Sequence, residues 1–386
     1  MTSALEVTGP SLEALAPLLD PFELGSLRLQ NRLVMAPMTR NFSPENVPGA
    51  DVAAYYERRA RGGVGLIISE GTLIDHPAAS GYPDVPFFHG ERALAGWSAV
   101  VEGVHAHGGK FAPQLWHCGS VRQLGMPPDP AVGGVAPSAV PHPGAGVLGG
   151  SADAELPHEL RDAEIADIIA AFARAAGDAV RIGCDAVEFH GAHGYLIDQF
   201  FWDKTNRRTD GWGGDFVART RFAAEIVKAA RKQVPADFPL ILRFSQWKLG
   251  GYRDKLVESP QELERWLAPL VQAGVDVFHC STRRYYQPEF EGSELNLAGW
   301  TKQLTGKPTI SVGSVGLDTD FFRTNVGADT AQASIEPLLE RLGAGEFDLI
   351  AVGRALLADP DWLEKLRSGR AEEIVGFQNG MKATLY

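Results

Sequence analysis

Two histidines and a tyrosine follow directly after a short apolar run near the middle of the chain. The run Asp185–Phe189 has the composition of a buried strand, and His190, His193 and Tyr195 come after it among glycines. Imidazole and phenol groups donate hydrogen bonds and carry protons that can be transferred. Because α/β enzymes display such groups where strands end, this stretch predicts a site of chemistry, provided that the fold places it in a pocket.

The same two histidines could instead bind a metal ion. A His-x-x-His spacing without a carboxylate or cysteine at ligand spacing is weak evidence for such a site, so we predict no bound metal. The neighbouring Glu188 is interpreted as the buried partner of an arginine, with general acid–base catalysis as the alternative. Cys118 carries no sequence sign of activation, and we expect an inert thiol.

The elements that must position these residues alternate along the chain. Helical patterns cover 50–61, 91–107, 161–182, 216–234 and a segment after a capping box at Ser259–Glu262. Eight strand-like runs separate them, at 31–37, 64–68, 110–117, 185–189, 239–245, 275–280, 308–312 and 347–352. A doubly wound sheet is the main alternative. The count of eight, with polar clusters after most runs, favours an α/β fold with a single (β/α)8 TIM barrel.

The barrel is expected to form one domain. We predict that it covers residues 21–386, including a C-terminal tail, after a loosely structured leader at 1–20. A long insertion rich in glycine and proline, about 120–158, follows the third strand and is interpreted as an ordered loop. We find no internal repeat, and no linker indicates a second domain.

In a barrel, the carboxyl ends of all strands face one mouth, which gathers polar residues from distant parts of the sequence. The turns after the seventh and eighth strands are where barrels commonly hold phosphate, because glycine lets backbone N–H groups approach the anion and arginine adds a paired charge. These turns contain Gly313, Ser314, Gly353 and Arg354. Two tight turns and a surface arginine are the alternative interpretation.

Gln114 and Arg243 are polar residues inside otherwise apolar runs. The amide of Gln114 could donate to and accept from a planar heterocycle such as a uracil-like ring, and a core glutamine with internal partners is the alternative. An arginine in a buried strand must face an anion or a group that becomes anionic. The same mouth would include Thr39, Gly71 and Trp116.

Composition narrows the class of partner. The 386 residues carry a formal net charge of −12 with a pI of about 5.3, which argues against nucleic acid and anionic membranes as partners. Three cysteines without CxxC spacing fit a reducing compartment. The first 27 residues are acidic and do not match a secretory signal. We therefore expect a cytoplasmic protein.

Five motifs in a fixed order make the chain similar to the Old Yellow Enzyme family of flavin-dependent ene-reductases. The resemblance covers about residues 22–370, and the motifs are Asn31–Arg40, Gln114–His117, Val187–Leu196, Asn206–Gly214 and Ala351–Arg354. No single motif is decisive, but the ordered set is highly specific. The resemblance requires no separate dinucleotide-binding domain with a G-x-G-x-x-G fingerprint.

The resemblance implies a barrel that binds FMN non-covalently and is reduced by NADPH or NADH in a ping-pong cycle. Gln114 would bind the pyrimidine ring, and Arg243 would lie beside N1 and C2=O. The residues implied in cofactor binding are Ala36, Pro37, Met38, Thr39, Gly71, Gln114, Arg243, Gly313, Ser314, Gly353 and Arg354.

The resemblance also implies a reaction, the reduction of the activated C=C bond of α,β-unsaturated carbonyl or nitro compounds. His190 and His193 would donate to the substrate oxygen, and Trp116 would line the substrate site. Tyr195 would protonate the α-carbon after a hydride from flavin N5 reaches the β-carbon. We consider a homodimer as the assembly.

Three stretches depart from the family pattern and would line the substrate entrance. They are Trp202–Lys204, Ser245–Lys248 and the aromatic, basic loop Ser281–Glu289, so the substrate preferences of relatives do not transfer. Arg283 and Arg284 could bind the extra phosphate of NADPH, with a solvated loop as the alternative. Two rival classes remain: a barrel metal hydrolase that uses the two histidines, and a barrel that binds a phosphate ligand without redox turnover.

Overall fold

Eight parallel strands close into a barrel. The computed structural model describes residues 9–146, 150–151, 153, 155–320, 323–324 and 330–386. Neighbouring strands of the barrel are consecutive in sequence, so each pairs with the one before it and the eighth pairs with the first. We label them β1 (Leu33–Met35), β2 (Leu66–Leu73), β3 (Lys110–Trp116), β4 (Val187–His193), β5 (Leu240–Lys248), β6 (Val277–Ser281), β7 (Thr309–Val312) and β8 (Leu349–Val352). The predicted barrel is confirmed.

Helices surround this barrel and connect its strands. We label them α1 (Leu12–Leu19), α2 (Ala50–Arg61), α3 (Glu91–His105), α4 (Asp162–Arg181), α5 (Leu196–Phe201), α6 (Arg221–Arg231), α7 (Pro260–Ala273), α8 (Leu297–Thr305), α9 (Glu336–Gly343), α10 (Arg354–Ala358) and α11 (Trp362–Arg367). Short 3₁₀ turns lie at Pro44–Asn46, Gly119–Val121, Ala218–Thr220, Ala371–Glu373 and Asn379–Ala383. Among the residues that the structure describes, no helix is long and apolar enough to cross a membrane.

The helix α4 shows why these segments fold as they do. Its residues Ile165, Ile168 and Phe172 recur at helical spacing and are fully buried against the barrel. At its start, the Glu164 carboxylate accepts a hydrogen bond from the backbone N–H of Arg161, 2.8 Å away, which satisfies one of the free donors of the first turn.

The predicted capping box of α7 forms by half. Ser259 Oγ accepts from the backbone N–H of Glu262 as expected. The Glu262 carboxylate accepts from the N–H of Glu258 at 2.8 Å, one residue earlier than a capping box requires. The helix ends at Gly274, whose φ of 105° suits glycine.

Two apolar layers hold the barrel. One lies between the strands and the helices; the other fills the inside of the barrel near the amino ends of the strands. An antiparallel hairpin, Phe22–Leu24 with Leu27–Leu29, adds its apolar side chains to the inner layer. Because that end is filled with hydrocarbon, polar chemistry is left to the carboxyl ends.

Three boundaries differ from the sequence-based expectations. The leader is not loosely structured throughout, since Leu12–Leu19 is a helix that buries Leu15 and Leu18; residues 1–8 lie outside the described residues. The predicted helix at 216–234 begins only at Arg221, after a 3₁₀ turn. The segment between β3 and α4, expected to be a loop, contains a small parallel sheet that pairs Val135–Ala136 with His158–Glu159. Residues 147–149, 152 and 154 of this segment lie outside the described residues.

Candidate active site

A cavity of about 370 Å³ opens at the carboxyl ends of the strands. Its size is within the range of small-molecule sites, and its walls come from the segment after β1, from the strands β3 to β8 and from the tail. The structure brings nearly all of the predicted site residues together in this wall: Ala36, Pro37, Met38, Thr39, Gln114, Trp116, His190, His193, Tyr195, Arg243, Gly313, Ser314, Gly353 and Arg354.

Gly71 is the predicted site residue that the structure does not place in the cavity wall. It lies buried in β2 beside a register shift between Ile68 and Gly71. A Cβ atom at Gly71 would lie 2.5 Å from Cε3 of the Trp116 indole. The absence of a side chain therefore makes room for Trp116, which does line the cavity.

His190 and His193 form one edge of the cavity. Their ring centroids are 5.2 Å apart and nearly perpendicular. His193 Nε2 lies 2.8 Å from Ser281 Oγ, whereas His190 Nδ1 is buried and has no hydrogen-bond partner among the described residues. Burial, followed by the positive charge of Arg243, lowers the pKa of both imidazoles well below the usual value. Both rings are therefore neutral at pH 7, and each offers one N–H donor.

An unusual backbone turn presents these groups. His193 has a φ of 66° and is followed by Gly194 with a φ of 85°, so the chain reverses sharply before α5 starts. Two of the groups around the turn fix it: the N–H of Gly194 donates to Asp198 Oδ2 at 2.7 Å, and the N–H of His193 donates to Ser245 Oγ at 3.1 Å. Left-handed backbone at a non-glycine residue is strained and is often found at functional sites.

The Asp198 carboxylate is held by a buried lysine that the sequence reasoning missed as a site element. Lys248 Nζ lies 2.7 Å from Asp198 Oδ1, and both side chains are completely buried. Lys248 also donates to the carbonyl of Ser245 at 2.8 Å. The ion pair thus joins the end of β5 to the turn that carries the histidines. The stretch Ser245–Lys248 stood out only as a departure from the family pattern.

Tyr195 packs its ring edge against Trp116, with centroids 4.8 Å apart and planes at 85°. Its ring also lies 5.1 Å from that of His190. The Tyr195 hydroxyl is 3.2 Å from the hydroxyl of Tyr82, a residue that the sequence reasoning did not select. Burial raises the pKa of Tyr195 well above the usual value, so the phenol keeps its proton at neutral pH.

Beneath the histidines lies a network of buried polar residues. Gln114 Nε2 donates to Glu188 Oε1 at 2.7 Å, and Glu188 Oε2 lies 2.6 Å from His279 Nδ1. The hydrogen-bond partners of Glu188 are thus an amide and an imidazole. The prediction that Glu188 pairs directly with an arginine is wrong. The strand spacing explains this: Gln114 is directly opposite Glu188 in the ladder between β3 and β4.

Arg243 supplies positive charge to the cavity wall. Its Nη2 donates weakly to Ser281 Oγ at 3.4 Å, and its Nε is buried without a partner among the described residues. Burial lowers the pKa of Arg243, and the charge of Glu188 partly opposes that shift. Unpaired buried donors cost free energy, so the Arg243 Nε, which has no partner in the part of the chain that the structure describes, fits a polar ring that accepts hydrogen bonds.

The glycine turn after β7 provides a close backbone surface. Gly313 has a φ of 145°, and a Cβ there would lie 2.8 Å from backbone atoms of Arg283 and Arg284. Arg354 donates to the carbonyl of Thr319 at 2.7 Å. These features fit an anion held by backbone and guanidinium groups.

A second cation near this turn was missed by the sequence reasoning. Lys382, in the C-terminal tail, also lines the cavity, and burial together with the charge of Arg354 lowers its pKa. No periodic pattern in the tail indicates that Lys382 reaches the barrel mouth.

Two of the three stretches that depart from the family pattern, Ser245–Lys248 and Ser281–Glu289, contribute to the cavity wall, whereas Trp202–Lys204 does not. Trp247 stacks on His193 with centroids 4.6 Å apart and donates its indole N–H to the carbonyl of Ser281 at 3.1 Å. The guanidinium of Arg283 lies 4.0 Å from the ring centre of Tyr252 and lines the cavity. Arg284 forms a 2.7 Å ion pair with Asp320 and does not line the cavity. Of the two arginines, Arg283 is therefore the one that we still expect to bind the extra phosphate of NADPH.

Two other groups bear on the rival interpretations. Among the described parts of the chain, no cluster of three or more His, Cys, Asp or Glu side chains could hold a metal ion. Cys118 is buried, and burial raises the pKa of its thiol, which fits the expected lack of reactivity.

A buried acid supports the β1 loop from behind. Glu70 Oε2 accepts from the backbone N–H of Arg40 at 2.8 Å, directly after Thr39, and more weakly from that of Asn41 at 3.4 Å. Burial raises the pKa of Glu70 to about 7, against an ordinary value of about 4.3 in the unfolded chain. The stabilisation linked to its protonated form is therefore fully present below about pH 4.3 and is lost as the pH rises through 7.

We expect Glu70→Gln to flatten the pH dependence of stability. Between pH 4.5 and 7.5 the native protein should lose roughly 3 kcal/mol of unfolding free energy more than the variant, because glutamine keeps the acceptor but has no proton to release. Urea unfolding at several pH values checks this. The exposed Glu372→Gln should leave the profile unchanged, and parallel profiles for the wild type and Glu70→Gln would contradict the assignment.

Comparison with known proteins agrees with this geometry. A family model described as NADH:flavin oxidoreductase / NADH oxidase family matches residues 17–373. The NADH oxidase of Thermoanaerobacter brockii is 35% identical over 363 residues, which are 91% of this chain but only 50% of that protein. The putative 12-oxophytodienoate reductase 2 of rice (Oryza sativa subsp. japonica) is 34% identical over 92% of this chain and 88% of its own length.

Solved structures show the same architecture. Morphinone reductase in complex with tetrahydroNAD superposes with a TM-score of 0.76 and 34% identity, covering 95% of this chain and 93% of the other. The old yellow enzyme homologue from Zymomonas mobilis gives a TM-score of 0.77 over 95% of this chain and 96% of its own, at 24% identity, and supports the fold alone. The chain therefore belongs to the NADH:flavin oxidoreductase / NADH oxidase family, and it is an FMN-dependent NAD(P)H oxidoreductase of the Old Yellow Enzyme type.

Proposed function

We propose that the protein is an ene-reductase that reduces the activated C=C bond of α,β-unsaturated carbonyl or nitro compounds in a ping-pong cycle. The observation that carries this proposal is the convergence of two neutral imidazoles and one buried, protonated phenol on the same cavity edge. Such a set can hold an oxygen and deliver a proton, which is what reduction of a polarised alkene needs besides a hydride.

The cavity wall supports a specific placement of the cofactor. The backbone of Ala36–Thr39, the amide of Gln114 and the guanidinium of Arg243 would hold the flavin ring, and the turns at Gly313–Ser314 and Gly353–Arg354 would hold the phosphate. Bound FMN supplies the hydride for the alkene, after reduction by NAD(P)H. The Nε of Arg243, which is buried without a partner among the residues described, supports the placement of a polar ring against this wall.

The orientation of Gln114 follows from its neighbour. Glu188, when ionised, has only acceptor atoms, so Gln114 must turn its NH₂ group towards that carboxylate. The Gln114 carbonyl oxygen then remains for a donor in the cavity. This makes Glu188 a positioning residue for the amide, and it replaces the earlier interpretation of Glu188 as a partner of arginine.

His190 and His193 would bind and polarise the substrate oxygen. Because both imidazoles are neutral, each can donate one hydrogen bond without the cost of burying an additional charge. A donor aimed at an oxygen that becomes negative is worth roughly 3–4 kcal/mol of transition-state stabilisation. Trp247, stacked on His193, would limit the size of the substrate on that side.

The names of the relatives support the substrate class. One relative is named as a reductase of 12-oxophytodienoate, and that name denotes a compound with an oxo group and carbon–carbon double bonds. One solved structure is a morphinone reductase. We infer a similar class of unsaturated ketone here, with its own size limits. A homodimer and a cytoplasmic location stay predictions, which light scattering and cell fractionation test.

An absorbance spectrum tests the proposed function. The purified protein should show a flavin band that bleaches with NADPH under anaerobic conditions and returns when 2-cyclohexenone is added. A colourless protein that takes up no added FMN would contradict the cofactor assignment. If the band bleaches but does not return with any activated alkene, the protein is a flavin oxidoreductase and the ene-reductase proposal is wrong.

Tyr195→Phe is expected to slow only the alkene half-reaction. The variant keeps the ring that packs on Trp116 but lacks the proton donor, so reoxidation by 2-cyclohexenone should fall by about 10²-fold or more, as for the loss of a general acid. Stopped-flow traces should show unchanged reduction by NADPH. Equal slowing of both half-reactions would remove Tyr195 from the proton-donor role.

A further inference from the structure

The hydroxyl of Tyr195 has a neighbour that the reaction proposed above does not yet use. Tyr82 Oη lies 3.2 Å from Tyr195 Oη, within hydrogen-bond distance, and either oxygen could be the donor. Tyr82 comes from the segment between β2 and α3, far from Tyr195 in sequence, and it does not line the cavity. The two phenols therefore meet behind the cavity wall.

The position of Tyr82 is fixed by contacts on two sides. Its ring stacks on Trp116 with centroids 5.5 Å apart and planes at 21°, while Tyr195 contacts the same indole with its edge. Its backbone N–H donates to Ser80 Oγ at 3.3 Å, and Ser80 Oγ donates to the carbonyl of Tyr82 at 3.1 Å. The indole and the Ser80 turn thus hold the two hydroxyls in register.

The two tyrosines differ in their access to water. Tyr195 exposes only 8% of its surface, whereas Tyr82 is half-buried. A buried phenol that gives away its proton becomes a buried phenolate, which is costly unless a donor faces the oxygen. Tyr82 is in the position to be that donor and is closer to solvent.

We propose that Tyr82 donates to the Tyr195 oxygen as Tyr195 protonates the substrate carbon, and that it passes a proton from solvent to Tyr195. This inference rests on the proposed function. The O–H bond of Tyr195 breaks as the C–H bond at the α-carbon forms, and the O–H bond of Tyr82 breaks as that of Tyr195 re-forms. Water then restores the proton of Tyr82. These proton transfers change no oxidation state.

The electrostatics agree with this direction of transfer. Burial raises the pKa of both phenols, and the hydrogen bond between them raises that of Tyr195 and lowers that of Tyr82. The direction of this effect favours transfer of a proton from Tyr82 to a Tyr195 phenolate. Cys118 is an unsuitable source, since its thiol is buried and burial raises its pKa.

Tyr82→Phe in the holoenzyme tests the proposal, because it keeps the ring that stacks on Trp116 and removes only the hydroxyl. We expect reoxidation of the reduced enzyme by 2-cyclohexenone to slow roughly tenfold or more, with unchanged reduction by NADPH and an unchanged Kd for a phenol. In mixtures of H₂O and D₂O, the reoxidation rate of the wild type should depend on deuterium content along a curve, which is typical of two protons in motion. The rate of Tyr82→Phe should depend on deuterium content linearly.

Two further variants separate a relay from other effects. In a Tyr195→Phe background, Tyr82→Phe should add no further slowing, because the relay acts only through Tyr195. Tyr386→Phe, at an exposed position, is the matched control and should behave as wild type.

The outcomes separate this proposal from the function on which it rests. Wild-type rates and isotope dependence in Tyr82→Phe would overturn the relay while the ene-reductase stands, and so would a full effect in the Tyr195→Phe background. A wild-type enzyme that is not reoxidised by the enone would overturn both.

Discussion

Replacing both His190 and His193 with alanine should nearly abolish the binding of phenolic ligands and slow alkene reduction by about 10³-fold or more, while FMN stays bound. Each imidazole is expected to contribute one hydrogen bond to the ligand oxygen, and the loss of one such donor commonly costs about 10²–10³-fold in rate. The Gly313 and Gly353 turns, which are proposed to hold the cofactor phosphate, are unchanged in this variant. Titration of the flavin absorbance with a phenol, together with stopped-flow reoxidation, measures both effects.

A paired variant sharpens this experiment. Asparagine at both positions retains an N–H donor and should recover part of the binding, because the hydrogen bond and not the ring is the cause. His158→Ala, at an exposed position, serves as the control. If the double alanine variant loses FMN, the two histidines hold the cofactor or the fold, and the substrate role is wrong.

Lys248→Met should destabilise the protein by about 3–5 kcal/mol, since it leaves the Asp198 carboxylate buried without its partner. Both side chains are fully buried, and burial already raises the pKa of Asp198 and lowers that of Lys248. The damage should extend to the site, because Asp198 also holds the N–H of Gly194. The urea midpoint gives the stability, and phenol binding reports on the turn.

An exposed ion pair of the same types provides the control. Lys204 lies 2.7 Å from Asp254, but half of the lysine side chain is exposed, so Lys204→Met should cost less than about 1 kcal/mol. Adding Asp198→Asn to Lys248→Met should recover part of the loss by removing the unpaired charge. Similar urea midpoints for Lys248→Met and Lys204→Met would show that the buried pair contributes no more than the exposed one.

The barrel and most of its mouth could be predicted because they follow from local patterns. A buried parallel strand is recognisable as an apolar run, and the carboxyl ends of such strands all face one side of the barrel. Gln114, His190 and Arg243 could therefore be placed in one site without any knowledge of distances. Their roles were suggested by the resemblance to a family and not by the runs themselves.

The contacts across the barrel could not be predicted in the same way. The partner of Glu188 depends on which side chains face each other inside the barrel, and His279 reaches it from β6, two strands away from β4. Gly71 was expected to contact the cofactor, but its place depends on a register shift and on the large Trp116 beside it. Tyr82 and Lys382 lie outside the strands, where neither period nor strand ends point to them.

The left-handed backbone at His193 limits how this enzyme can change during evolution. At a φ of 66°, residues branched at Cβ are strongly disfavoured, whereas asparagine, aspartate, histidine and glycine are tolerated. Of these, histidine and asparagine also keep a neutral N–H donor at pH 7. A saturation library at position 193 should therefore yield very few active variants. His190 lies within strand β4, so its replacement is limited by the hydrogen bond it must donate and not by its backbone conformation. Because position 193 tolerates few residues, new substrates are more easily gained by changing Trp247, which stacks on His193, than by changing His193 itself.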